Sequence, residues 1–348
     1  MYETIYVEKN KTSRFGVHFY KDSSDWKIFL DICGVDEKKI AIICSNNIQN
    51  DTWKALMEGM PSDDVYKISE DSVNDLCQFL DAKKGYTMVV FSEPAVMEAL
   101  SVTLISEDAK LSFVCVPVTP FAQFAGVSIL PQCDENGEVT RKEILPKGVY
   151  VDVSILKNAS PVAFQGAIAS AFRLAISYKA SFFEWMISNM YELLDGEEEA
   201  ICEFLERGYN VQKERIEKDT AKERSISLYA NDFYNVLSGV TSETSEADLW
   251  ALSMVCQSYL SWKKELLSME EYYEIRDMFV FFGLGISETF ATDTELLEAT
   301  ENMKNELFNR DTAVYIRKIG KLLVEEAPSK ELVREAFSQI YYNELDNE

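Results

Sequence analysis

Histidine is almost missing from this chain: His18 is the single one in 348 residues. Its scarcity excludes any metal centre or acid–base pair built on several imidazoles. Cysteine offers no substitute. The seven cysteines (Cys33, Cys44, Cys77, Cys115, Cys133, Cys202 and Cys256) are odd in number, widely spaced and free of CxxC pairs. They are expected to be buried free thiols rather than a disulfide framework or a zinc site. Basic residues are in deficit, 34 against 59 acidic, for a formal charge of −25. Such a chain repels a phosphate backbone and an anionic lipid leaflet, so neither nucleic acid nor membrane is an expected partner. No run of about 18 apolar residues occurs, and the opening MYETIYVEKNKTSRF lacks the apolar core of a signal peptide. A cytoplasmic location is the expectation.

What remains is an ordinary globular composition, 47% hydrophobic and 27% charged, long enough for about two domains. Up to about residue 155, short β-branched and aromatic runs alternate with helical patterns. The runs are Ile40 to Cys44, Val65 to Ile68, Tyr86 to Phe91, Leu111 to Val116 and Val149 to Val153. Helical spacing lies between them, over 51–60, 69–82 and 94–105. This alternation predicts a parallel-rich sheet covered by helices, a Rossmann-like α/β domain over 1–155. The polar, turn-rich stretch 131–148 reads as an excursion before the last strand. His18, in the strand-like FGVHFY, is expected to be a packed or surface residue.

Beyond Ala159-Ser160-Pro161 the strand signals stop, and an all-α domain is predicted over 156–348. Phe182, Phe183, Met186, Ile187, Met190, Leu193 and Leu194 recur at three- and four-residue steps, a stripe for a core. Glu197 to Glu199 suit the positive start of a helix. Lys213 stands four before Glu217, and Glu214 four before Lys218, which predicts ion pairs along a solvated helix. No internal repeat is present.

Several segments carry a family resemblance. They are CSNNI at 44–48, VPVTPFAQ at 116–123, PKGVYVDVSIL at 146–156, QGAIASAFRLAISYKASFFEWM at 165–186 and ERSISLYANDFYN at 223–235. Together they resemble the dehydroquinate synthase-like superfamily of sugar-phosphate cyclases and, more distantly, iron-type alcohol and glycerol dehydrogenases. The resemblance runs from about residue 40 to 340. It implies the same α/β-then-helical fold, with NAD and zinc as the family cofactors.

The residues that would hold those cofactors are replaced. Where the family has a glycine-rich GGGxxGD turn for the NAD pyrophosphate, this chain has Ser92, Glu93, Pro94 and, further on, Glu98. Pro94 offers no N–H, and Glu93 puts a carboxylate where an anion should rest. Ser92 is expected to cap the following helix instead. The family's glutamate and two histidines for a divalent cation fall on Ser170, Asn231 and Glu246, a poor donor set for zinc or iron. A further family histidine, an acid–base group, falls on Asn235, which does not titrate. The aspartate and lysine after the VPVTPFAQ segment become Ala125 and Pro131, and a helix lysine becomes Arg173. Asn47, Lys213 and Arg224 do match family positions. With Arg173 and Asn235 they are the candidates for a cleft between the two halves that takes a small anionic ligand.

The expectation is therefore a divergent relative without the family's cyclase activity and with no cofactor, acting as a binding or assembly module, as a homodimer. Two alternatives stay open. One is a carboxylate-based lyase using Glu93, Glu98, Asp232, Glu246 and Asp248 in the same cleft. The other is an active 3-dehydroquinate synthase-type enzyme, which a chain with one histidine makes hard to build. Fold alone does not fix a reaction.

Overall fold

The computed structural model describes residues 3–48, 50–58, 60, 64–68, 73–104, 111–129, 132–133, 139–141, 143–218, 229–241, 244–287, 301 and 312–341. Two compact units emerge. The first holds residues 1–163 and 201–218, the second 164–200 and 219–348.

The first unit is built on a seven-stranded sheet. Its strands are β1 (Thr4–Asn10), β2 (Ser13–Tyr20), β3 (Ile40–Ser45), β4 (Val65–Ile68), β5 (Thr87–Ser92), β6 (Phe113–Pro117) and β9 (Gly148–Asp152). Their order is β1-β2-β9-β6-β5-β3-β4. β1 and β2 form an antiparallel hairpin; every other pairing is parallel. β5, β6 and β9 are buried along their whole length, and β3 up to Ser45. That is the reason they read as unbroken apolar runs rather than alternating ones: both faces are covered. β4, at the edge, is half exposed. The excursion contributes a small separate hairpin of β7 (Gln132–Cys133) and β8 (Val139–Arg141).

An aromatic cluster seals one face. Tyr150 stacks on Tyr20 at 4.3 Å and on Trp26 at 4.4 Å, with Phe29 edge-on at 5.2 Å. His18 is buried, edge-on to Phe29 at 5.8 Å, with Nδ1 3.1 Å from the Thr4 hydroxyl. It is a packed residue, and burial lowers its pKa. Cys44, Cys115 and Cys256 are buried thiols and Cys33 and Cys202 half-buried, but Cys77 is exposed, contrary to expectation. It stands on the polar side of the amphipathic helix Val73–Ala82.

Residues 201–218 of the helix Glu198–Lys218 belong to the sheet unit. Phe204 meets Phe124 at 4.4 Å, Tyr209 meets Phe19 edge-on at 5.6 Å, and the Tyr209 hydroxyl donates to Gln123 Oε1 at 3.0 Å. Gly208 makes this approach possible: a Cβ there would stand 2.4 Å from the Phe124 ring.

The second unit is mostly helical. The helix Glu246–Lys263 is buried on every side from Leu249 to Ser261, as a central helix must be, with Ser253, Gln257, Ser258 and Ser261 among its buried residues. Around it lie Asn231–Val240, Met269–Phe281 and Lys330–Ser338. A hairpin of β10 (Thr312–Lys318) and β11 (Lys321–Glu326) also packs on it. The sequence reading has no strand here, because alternation is short and β11 exposes most of its residues. The predicted stripe at 182–194 breaks into Ala180–Ser188 and Met190–Leu194 at Asn189, and Leu194 is exposed rather than in the core.

Candidate functional site

In the parallel part of the first sheet the chain runs outward from β3 to β4, returns past β3 to β5, and continues to β6 and β9. β3 and β5 are therefore the adjacent strands at which the connection changes direction. In open α/β sheets the crevice outside the carboxyl ends of such a pair is where ligands bind. Asn47 and Glu93 stand there. Asn47 is exposed, in the turn after β3, and its backbone N–H donates to Ser45 Oγ at 3.0 Å. Glu93 is the N-cap of the helix Pro94–Thr103 but makes no capping bond with its side chain. Burial raises its pKa, and a hydrogen bond with Ser45 works against that rise. Ser92 does not cap this helix. It ends β5, and its hydroxyl accepts the Cys115 thiol at 3.3 Å in the interior. Glu98 is exposed one turn on. A half-buried carboxylate followed by proline does not fit a pyrophosphate at this helix start.

In the second unit the helix Pro161–Tyr178 presents Ser170 and Arg173. Ser170 is buried. The Arg173 guanidinium donates from Nε to the Tyr229 carbonyl at 3.0 Å and from Nη2 to Asn231 Oδ1 at 2.5 Å. It also lies 4.3 Å from the centre of the Trp250 ring, on which Tyr234 stacks at 4.1 Å. Burial pushes the Arg173 pKa down to about 10, so it remains a cation at neutral pH. Asn231, the first residue of its helix, is thus bonded to a positive charge. Glu246 opens its own helix at an exposed position, and Asn235 is exposed. A neutral hydroxyl, an amide already bonded to a guanidinium, and an exposed carboxylate do not make a donor set for a divalent transition metal. Among the described residues no three of His, Cys, Asp and Glu gather in a way that could hold an ion.

Of the carboxylates considered for acid–base work, Glu98 and Glu246 are exposed and Asp248 is already bonded. Asp248 accepts from the Gly285 N–H at 2.6 Å and from the Ser245 hydroxyl at 2.7 Å, fixing a helix start. Asp232 is buried in the first turn of its helix. Lys213, on the sheet unit, pairs with Glu217 at 3.8 Å, and Lys218 with Glu214 at 3.1 Å, as the spacing predicts. Arg224 and Pro131 lie outside the described residues.

One cluster escaped the sequence reading. Glu143, nearly fully buried, takes Lys9 at 2.9 Å, Arg215 at 3.3 Å and the Ser128 hydroxyl. Burial alone would raise its pKa, but Arg215, Lys9 and Ser128 outweigh it and hold the carboxyl below the usual range. Its members lie up to 206 positions apart by residue number, so no local pattern announces them.

Comparison with known proteins agrees with this architecture. No family model matches the chain. It is 24% identical over 237 residues to the 3-dehydroquinate synthase of Campylobacter concisus (strain 13826), covering 66% of this chain and 67% of that protein. The structure superposes on the 2-epi-5-epi-valiolone synthase of Streptomyces hygroscopicus subsp. jinggangensis 5008, solved with NAD+ and Zn2+ bound. The TM-score is 0.71 at 13% identity, over 96% of this chain and 98% of that one. It also superposes on 2-deoxy-scyllo-inosose synthase complexed with carbaglucose-6-phosphate, NAD+ and Co2+. There the TM-score is 0.72 at 10% identity, over 96% and 99%. The chain has the fold of these sugar-phosphate cyclases and is similar in sequence to 3-dehydroquinate synthases. The expectation of no cofactor is corrected by the same structures, in which this fold holds NAD+ with Zn2+ or Co2+. Among the described residues, no helix is long and apolar enough to cross a membrane.

Proposed function

We propose that this chain uses the dehydroquinate synthase-like fold as a binding or assembly module and does not carry out the ring closure of its cyclase relatives. The observation that carries this reading is the Arg173 guanidinium. It is bonded to Asn231 and to the Tyr229 carbonyl over the Trp250 ring, at a position to which the resemblance assigns a divalent cation. Asn231 Oδ1, the amide oxygen at one of the family's metal-ligand positions, is already taken by that guanidinium, which leaves a neutral hydroxyl and an exposed carboxylate as the remaining donors. Asn235 removes the acid–base group as well, since an amide neither takes nor gives a proton in the working range. The same reading takes the protein as a cytoplasmic homodimer that holds a small anionic ligand.

The test is a steady-state assay of the purified full chain with a seven-carbon sugar phosphate, NAD+ and either Zn2+ or Co2+ supplied. No ring-closed product above the protein-free blank is expected. Product that disappears on chelation overturns the reading. The alternative, an active cyclase of the 3-dehydroquinate synthase type, draws its support from the 24% identity over two thirds of a protein of that name. That assay separates the two.

A further inference from the structure

The outer face of the helix Met269–Phe281 exposes three large apolar side chains, with Arg276 and Asp277 between the second and the third. Met269, Tyr273 and Val280 are 48%, 45% and 53% exposed. Steps of four and seven residues place them within about 40° of one another around a helix of 3.6 residues per turn. One exposed apolar residue needs no explanation, but several on one helix face, with charges among them, are the composition of a contact surface. The face is extended from the short helix Met190–Leu194, where Tyr191 is 64% and Leu194 47% exposed. The Tyr191 ring meets Phe281 edge-on at 5.4 Å, which joins the two helices into one surface.

Carboxylates flank it. Glu270, Glu274 and Asp277 are exposed along the same helix, and Glu184 is exposed on Ala180–Ser188. Glu184 comes close enough that, after burial, it and Glu271 hold the Glu274 proton more tightly. The one arginine of the helix is turned away: Arg276 lies over the Tyr272 ring at 5.7 Å and donates to its hydroxyl at 3.4 Å. A face of exposed apolar side chains with carboxylates beside and between them selects a partner that is apolar and basic in the same pattern. A second copy of this chain fits badly, because it brings the same carboxylates to a face of a molecule that already carries −25.

We propose that this face docks a basic amphipathic segment of a partner protein. Its apolar stripe covers Met269, Tyr273, Val280 and Tyr191, and its lysines or arginines lie over Glu184, Glu270, Glu274 and Asp277. This names the partner class of the binding-module reading and rests on it, but the two fail separately. Ring closure in the assay above removes the module reading, whereas the docking face is tested by binding alone.

The probe is a fluorescein-labelled 18-residue peptide with leucines on one helical face and lysines beside them, titrated with the full chain in an anisotropy experiment. A scrambled peptide of the same composition is the control for attraction to net charge. The ordered peptide is expected to bind at least tenfold more tightly than the scramble and to weaken as salt rises. Tyr273→Ser with Val280→Ser should cost at least tenfold, and Glu274→Lys with Asp277→Lys should also weaken binding and flatten its salt dependence. Ile28→Ser, at an exposed apolar position in the first unit, should change nothing. All five residues are at the surface, and a thermal melt of each variant confirms folding. Equal binding of the scramble, or unchanged binding by the two patch variants, overturns the proposal. So does a dimer of the unmodified chain that Tyr273→Ser with Val280→Ser dissociates, because the occupant is then a second copy.

Discussion

Removing the Arg173 guanidinium leaves the Tyr229 carbonyl and Asn231 Oδ1 without their charged donor and Trp250 without the cation over its ring. An acceptor stripped of its partner in the interior costs about 1–3 kcal/mol. Arg173→Ala is therefore expected to lower the unfolding free energy by about 2–4 kcal/mol, most of it from those orphaned acceptors. Urea denaturation measures this. Arg173→Lys should recover little, because an ammonium cannot serve two acceptors and lie flat on a ring. Glu143 has a signature in pH. Its folded pKa lies below the ordinary carboxylate value, so its stabilisation is fully present above that value and is lost as pH falls through the folded one. Glu143→Gln should cost about 3 kcal/mol at neutral pH, by removing the buried carboxylate charge that Lys9 and Arg215 share. It should also flatten the acid limb of a melting-temperature curve below about pH 4.5, near the ordinary glutamate value. An unchanged acid limb would mean that the cluster carries no stability.

At the scale of elements, the sheet was legible and the docking of helices was not. Strands β3, β4, β5, β6 and β9 fall within two residues of their apolar runs, because parallel strands covered on both faces carry their burial in the local sequence. The pairs Lys213–Glu217 and Glu214–Lys218 were equally visible, being set by helical spacing alone. The attachment of 201–218 to the sheet unit was hidden. It depends on Phe124, Gln123 and Phe19, which are remote in sequence. Ser92 was misread for the same reason: capping is a local rule, but its hydroxyl serves a thiol on the neighbouring strand. Gly208 gives this scale its test. Alanine is the better helix former by about 1 kcal/mol, yet a Cβ at 208 would stand 2.4 Å from Phe124. Gly208→Ala is therefore expected to destabilise by about 1–3 kcal/mol, as overpacking does. A rise in melting temperature would show that the helix is held elsewhere.

For the whole molecule, the fold is that of the cyclases it superposes on. The resemblance named the superfamily from segments such as 165–186 and 116–123, and the superposition over 96% of the chain agrees with it. The replaced positions were legible as residue types: Ser170, Asn231, Glu246 and Asn235 can be read from the sequence. What the sequence could not supply is the geometry that gives them meaning, above all that Arg173 donates to Asn231 across two helices 58 residues apart. The correction on cofactors comes from this scale as well, since relatives with the same fold hold NAD+ with Zn2+ or Co2+. The proposed function is an architecture kept without its ring-closing chemistry. A single-turnover experiment addresses that claim most directly. The full chain, in molar excess over a seven-carbon sugar phosphate, is incubated with NAD+ and Co2+ for hours, and carbon NMR follows the substrate. The account predicts that the substrate signals persist unchanged, and one equivalent of ring-closed product would contradict it.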